Sequence, residues 1–72
     1  GPAFEMKRQM IAMRKAAGLS QEQMAELLGT QKSNISRLDS LNTGVSPRLS
    51  AVEQYAKALG FRVKVEFEPR VR

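Results

Sequence analysis

The residues best equipped to bind another molecule are Thr30, Gln31, Lys32, Ser33 and Asn34, with Arg37 just beyond, a polar run set between two groups of apolar residues. They carry hydroxyl, amide, ammonium and guanidinium groups, which make hydrogen bonds and ion pairs but are poor starting points for covalent chemistry. Catalytic groups are scarce elsewhere. The 72-residue chain has no histidine and no cysteine, which removes imidazole acid–base catalysis, disulfides, thiolate metal sites and most zinc chemistry. Glu22 and Glu26 lie one turn apart on an amphipathic segment, an ordinary solvated face rather than a convergent acid pair. The expectation is a binding protein, not an enzyme, with no cofactor and no metal.

Twelve Lys and Arg against seven Asp and Glu give a net charge of +5 and a pI near 10.3. This balance fits a polyanionic partner, although many small soluble domains are basic without one. A chain of this length is one domain and buries only about 60% of the surface its unfolded form exposes, so marginal stability is expected. No segment approaches the ~20 apolar residues of a membrane span, and no secretory signal is visible. These features point to the cytoplasm and away from a membrane. Gly1-Pro2 resembles a protease-cleavage scar, and residues 1–3 are expected to be a disordered tag remnant.

The elements that must position the polar run follow from periodicity. Residues 4–17 read as a first helix, with Met6, Met10, Met13 and Ala17 as its apolar stripe and Arg14 on or beside that stripe, in need of a partner. Gly18 ends it and Leu19 fills the gap between helices. Ser20 and Gln23 form a capping box at the start of a second helix. Met24, Ala25 and Leu28 share one helical face, Gly29 breaks the pattern, and Ile35 and Leu38 resume it. Gln21 to Asp39 therefore reads as two short helices joined by a tight turn, with Ala25 allowing close approach, Gly29 suited to positive φ and Thr30 capping the third helix. Ser40 to Ser46 is a loop in which Leu41 and Val45 tuck under or face a second subunit. Ser46-Pro47 marks the start of a fourth helix. Its inner face is Leu49, Val52, Ala56 and Leu59, with Tyr55 packed and its hydroxyl at the edge, and Gly60 closes it.

After Gly60 the period changes from helix to strand. Phe61, Val63, Val65 and Phe67 alternate with Arg62, Lys64, Glu66 and Glu68. The sequence offers no second strand, and a lone one leaves its backbone groups unpaired. An antiparallel partner from a second copy across a two-fold axis resolves this, with Phe61, Val63, Val65 and Phe67 as the dimer interface. A disordered tail is the alternative. Pro69 stops the strand and residues 69–72 fray.

In order and spacing, Gly18-Leu19-Ser20-Gln21, Met24-Ala25, Leu28-Gly29, Ile35-Ser36-Arg37-Leu38 and Ala56-Lys57-Ala58-Leu59-Gly60 resemble the Cro/cI-type (XRE) helix-turn-helix family. The likeness runs over roughly residues 6 to 60. It implies a mostly α, lambda-repressor-like domain of four to five helices over residues 4–60, followed by the dimerising strand at 61–68. It implies that the third helix enters the major groove of double-stranded DNA with its N-terminal residues on base edges. Gln31, Lys32, Ser33 and Arg37 then contact bases, and Ser20, Gln21, Asn34, Ser36, Asn42, Thr43 and Arg48 contact phosphates. Asn34 and Ser36 suit either role. An arginine at the position of Arg14 pairs, in this family, with an acid at the end of the recognition helix, here Asp39. That salt bridge would be partly buried and structural.

A helix-turn-helix domain followed by a short strand also looks like the HigA-type antitoxins, which repress their own operon and neutralise a RelE-like toxin. The softer resemblance implies a homodimer on a palindromic operator, with such a toxin as a partner. Phage-type repressors share the helices. A protein-interaction module working through Met6, Met10 and Ile11 or through Leu27, with no DNA, is the reading of a different class.

Overall fold

In the computed structural model, which describes residues 2–41 and 46–70 with side chains from residue 4 onward, the apolar periodicities become four α-helices. These are α1 (Pro2–Ala16), α2 (Gln21–Leu28), α3 (Lys32–Asp39) and α4 (Leu49–Ala58). α1 starts at Pro2, within the stretch expected to be a disordered remnant. Proline suits a first helical position because its fixed φ matches the helix and its missing N–H would have no partner there. α2 packs on α3, α1 lies against both α3 and α4, and α2 touches α4. Met10, Met24, Ala25, Ile35, Val52 and Tyr55 form the buried core between them, with Met13, Leu19, Leu28, Leu38 and Leu59 packed at its margins.

The inward face of α1 differs from the expected methionine stripe. Lys7, Met10 and Arg14 are buried, Met13 is half-buried, and Met6 and Ala17 are exposed. At 100° per residue this turns the inner face by about 60°. Lysine and arginine can occupy such positions because their stems are apolar and only their heads require polar partners. Lys7 Nζ donates to the Ser40 carbonyl at 2.8 Å, just past the end of α3, where a cation also complements the helix dipole.

The turn between α2 and α3 is a Schellman motif. Gly29 has φ 68°, its N–H donates to the Glu26 carbonyl at 3.1 Å, and the Thr30 N–H donates to the Ala25 carbonyl at 2.9 Å. Thr30 does not cap α3. The backbone is still extended at Gln31 (φ −90°, ψ 151°), which takes the N-cap position without a side-chain bond to the helix. The Thr30 hydroxyl instead accepts from Asn34 Nδ2 at 2.6 Å. The capping box of α2 is formed as expected, with Gln23 N–H donating to Ser20 Oγ at 3.0 Å and Ser20 N–H to Gln23 Oε1 at 2.8 Å.

α4 also begins later than Ser46-Pro47 suggests. The chain stays extended through Arg48 (φ −68°, ψ 142°), which is the N-cap, and the helix opens at Leu49. Leu49 therefore sits on the first turn, past the edge of the core, and is 49% exposed. Val52, Tyr55 and Ala56 form the buried face of α4. Tyr55 is fully buried, hydroxyl included, rather than lying with that group at the edge.

Residues 61–70 are neither helix nor strand, and the described residues contain no strand at all. Val63 packs against the core. Phe61, Val65 and Phe67 are exposed, Phe67 at 94%. Lys64 Nζ and Glu66 Oε1, on the expected polar face, pair at 2.9 Å.

Candidate nucleic-acid interface

One carboxylate ties the four helices together. Asp39, the last residue of α3, is 6% exposed. Its Oδ2 accepts from Arg14 Nε of α1 at 3.2 Å and from Gln21 Nε2 of α2 at 3.4 Å. Its Oδ1 accepts from the Tyr55 hydroxyl of α4 at 3.2 Å. Arg14 Nη1 also donates to the Leu19 carbonyl at 2.7 Å, bracing the α1–α2 connection. Every buried side-chain polar atom among the described residues has a partner, the condition under which a buried charged network is tolerated. Tyr55 is held neutral. Burial first, and the Asp39 carboxylate second, push its pKa up to about 12 from 10.0. The Arg14–Asp39 pair thus forms as a core strut, away from the exposed face.

The other end of α3 faces outward. Gln31, Lys32, Ser33, Asn34, Ser36 and Arg37 are all exposed, while Ile35 between them is fully buried and Leu38 half-buried. The apolar pair fixes the rotation of α3, and that rotation aims the polar residues at solvent. Gln31 gives no side-chain cap, and in the first turn the Asn34 N–H donates instead to the Gln31 carbonyl at 3.0 Å. Lys32 Nζ lies 3.4 Å from Glu22 Oε1 on α2. Asn34 is tied back to Thr30.

The expected phosphate ligands scatter around this face. Ser20 is exposed, with its oxygen occupied by the Gln23 N–H. Gln21 is half-buried and its amide nitrogen turns inward onto Asp39, so it braces the fold in addition to any outward role. Arg48 is exposed at the start of α4. Arg37 and Arg48, a predicted base contact and a predicted phosphate contact, both line a groove of about 680 Å³ floored by Leu28, Ile35, Leu38 and Ala51. Asn42 and Thr43 lie outside the described residues.

Three participants had no clear sequence signal. Lys7 lies outside the apolar stripe read for the first helix, and its partner, the Ser40 carbonyl, is 33 residues away. The Tyr55 hydroxyl could be matched to Asp39 only once α4 was seen against α3. Glu22 was read as plain solvated surface, although from the first turn of α2 it reaches Lys32, the first residue of α3. The described residues hold no cluster of acids that could bind a metal, and no described helix is long and apolar enough to cross a membrane.

The competence pilus inhibition repressor of Acinetobacter baylyi is 38% identical over 64 residues, which span 89% of this chain and 56% of that protein. The chain thus covers little more than half of its relative's length. No solved structure matches it significantly. A family model described as a helix-turn-helix domain matches residues 8–67, from the second turn of α1 through the segment after α4, and the chain belongs to that helix-turn-helix family.

Proposed function

We propose that the protein is a sequence-specific transcriptional repressor that binds double-stranded DNA as a homodimer on an imperfect palindrome. The observation that carries this reading is the two-ended character of α3. Its last residue is anchored to every other helix, while Gln31, Lys32, Ser33 and Arg37 stand exposed. In a helix-turn-helix the N-terminal part of the second helix meets base edges in the major groove. Gln31 suits adenine, Lys32 suits guanine and Ser33 accommodates either. Arg37 reaches a base further along, and Ser20, Asn34, Ser36 and Arg48 hold phosphates, with Gln21 contributing its remaining N–H. The net charge of +5 favours the association and makes it steeply salt-dependent. The protein is not an enzyme in this reading and acts where the DNA is, in the cytoplasm.

The row Phe61, Val65 and Phe67 supports the dimer. Aromatic and branched side chains this exposed are the kind that a second copy covers, and pairing of two such segments would satisfy their backbones as a sheet. Two rigidly linked modules then engage half-sites about one helical turn apart, gaining affinity through effective concentration. The name of the Acinetobacter relative supports repression. The antitoxin role is a narrower form of the proposal. It rests on the order of domain and tail alone, and co-purification with a RelE-like toxin encoded beside the gene is its test.

The main experiment is binding to the DNA upstream of the protein's own gene against scrambled DNA at near-physiological salt. A strong preference for the upstream DNA is expected, reduced at least about tenfold by Lys32→Ala or Arg37→Ala. Equal, weak binding to both DNAs, unchanged by either substitution, refutes the proposal and leaves a helical protein-interaction module.

A further inference from the structure

Glu22 is out of place. It is an acid on a basic protein, in the first turn of α2 beside Ser20 and Gln21, and it reaches Lys32 at the start of α3. Both side chains are mostly exposed, Lys32 at 58% and Glu22 at 73%. An exposed ion pair of this kind adds little to stability, so the fold does not account for it. On a surface that approaches phosphates, a carboxylate is repelled unless it meets a donor.

The geometry points to a reading dyad: we infer that Lys32 and Glu22 together read one base pair per half-site, as a donor and an acceptor held side by side. This rests on the assignment of α3 as the DNA-reading helix. Lys32 Nζ and Glu22 Oε1 are 3.4 Å apart. The major-groove edge of a base pair offers a matching couple, a keto oxygen on one base and an amino nitrogen on the other. These atoms are themselves joined by a Watson–Crick hydrogen bond and so lie about 3 Å apart. Lys32 donates to the keto oxygen and Glu22 accepts from the amino group.

The dyad therefore reads the order of the two groups across the pair. Guanine opposite cytosine fits best, because guanine N7 gives the ammonium a second acceptor. Thymine opposite adenine keeps the same keto–amino order but places a methyl group where N7 would be. Cytosine or adenine on the lysine side reverses the order and sets ammonium against amino group and carboxylate against keto oxygen. Lys32 alone would accept any keto oxygen or phosphate. Glu22 supplies the rejection of reversed pairs, which makes it a specificity determinant on the supporting helix rather than on the recognition helix.

The test is selection of binding sites from randomised duplex DNA by the full chain and by Glu22→Ala, followed by measured affinities for all four pairs at the position that changes. The parent should select guanine over thymine, and both over cytosine and adenine, at one position per half-site. Glu22→Ala should lose about tenfold or more of that discrimination there and keep its preferences elsewhere. Because Glu22 is exposed, the variant should melt with the parent, so a change in selection cannot be ascribed to unfolding. If Glu22→Ala selects the same bases as the parent, or tightens binding to all sequences alike, the dyad is refuted while DNA reading stands. If the parent selects no sequence, the inference and the proposed function fall together.

Discussion

Replacing Arg14 by methionine tests the bracing of the fold most directly. The substitution preserves an apolar stem of similar length and removes the guanidinium. Arg14 and Asp39 side chains are 9% and 4% exposed, so water cannot replace the lost partner without opening the core. Asp39 would keep only the Gln21 amide at 3.4 Å and the Tyr55 hydroxyl at 3.2 Å, neither of them charged. The Leu19 carbonyl would lose its 2.7 Å donor as well. Removing one partner of a buried ion pair costs about 3–5 kcal/mol. A domain of this size has a total stability on the order of 4–11 kcal/mol. Each kcal/mol lowers Tm by roughly 4–8 °C, so Arg14→Met should melt at least about 12 °C below the parent. Far-ultraviolet circular dichroism gives the melt, and the urea midpoint at unchanged slope shows that the native state, not its compactness, has changed. The double variant Arg14→Met/Asp39→Asn removes both charges and should be more stable than the sum of the two single losses implies, by about 1 kcal/mol or more. A single variant melting within about 2 °C of the parent, or strict additivity in the double, would refute the account of Asp39 as the tie between helices.

Tyr55 gives a pH signature. Its folded pKa of about 12 lies above its ordinary value of 10.0, so its contribution is fully present below pH 10 and is lost as pH rises from 10 through 12, up to ~3 kcal/mol; urea midpoints across that range should fall more steeply for the parent than for Tyr55→Phe. Lys7→Met keeps the buried stem but leaves the Ser40 carbonyl without this donor, and chemical denaturation should show a loss of about 1–3 kcal/mol. At Gly29 an added Cβ meets nothing within 4 Å, so the cost of Gly29→Ala is backbone strain at φ 68° alone, about 1–2 kcal/mol by urea titration.

What the sequence reveals here is what is local or periodic. The capping box at Ser20, the break at Gly29, the buried Ile35 and the outward polar run all follow from neighbours within a turn or two, and each is formed in the folded chain. The pairing of Arg14 with Asp39 spans 25 residues and was accessible only through family resemblance. What stayed hidden depended on three-dimensional neighbours. Apolar content placed the face of α1 on the methionines, whereas packing favoured Lys7 and Arg14, whose heads find partners at Ser40, just past the end of α3, and at Asp39, its last residue. Cap signals placed the starts of α3 and α4 too early, because Gln31 and Arg48 stay extended despite a good capping residue upstream. The alternation after Gly60 is plain in sequence, but alternation alone supplies no neighbour for the backbone to pair with, and residues 61–70 form no strand.

The anchoring of α3 at one end also bears on how such a protein can change its target. Asp39 and Ile35 carry the structural load of the helix, while Gln31, Lys32, Ser33 and Arg37 carry almost none. Substitutions at Lys32, Ser33 and Arg37 therefore leave stability nearly untouched, as surface changes away from caps and cores do, and Gln31, though at the N-cap, makes no side-chain bond to the helix. In a domain with so little stability to spare, that separation decides which mutations survive. If the exposed residues are the readers, as proposed above, they can drift and acquire new targets one at a time, whereas a change at Arg14, Asp39 or Tyr55 costs stability unless its partner changes too.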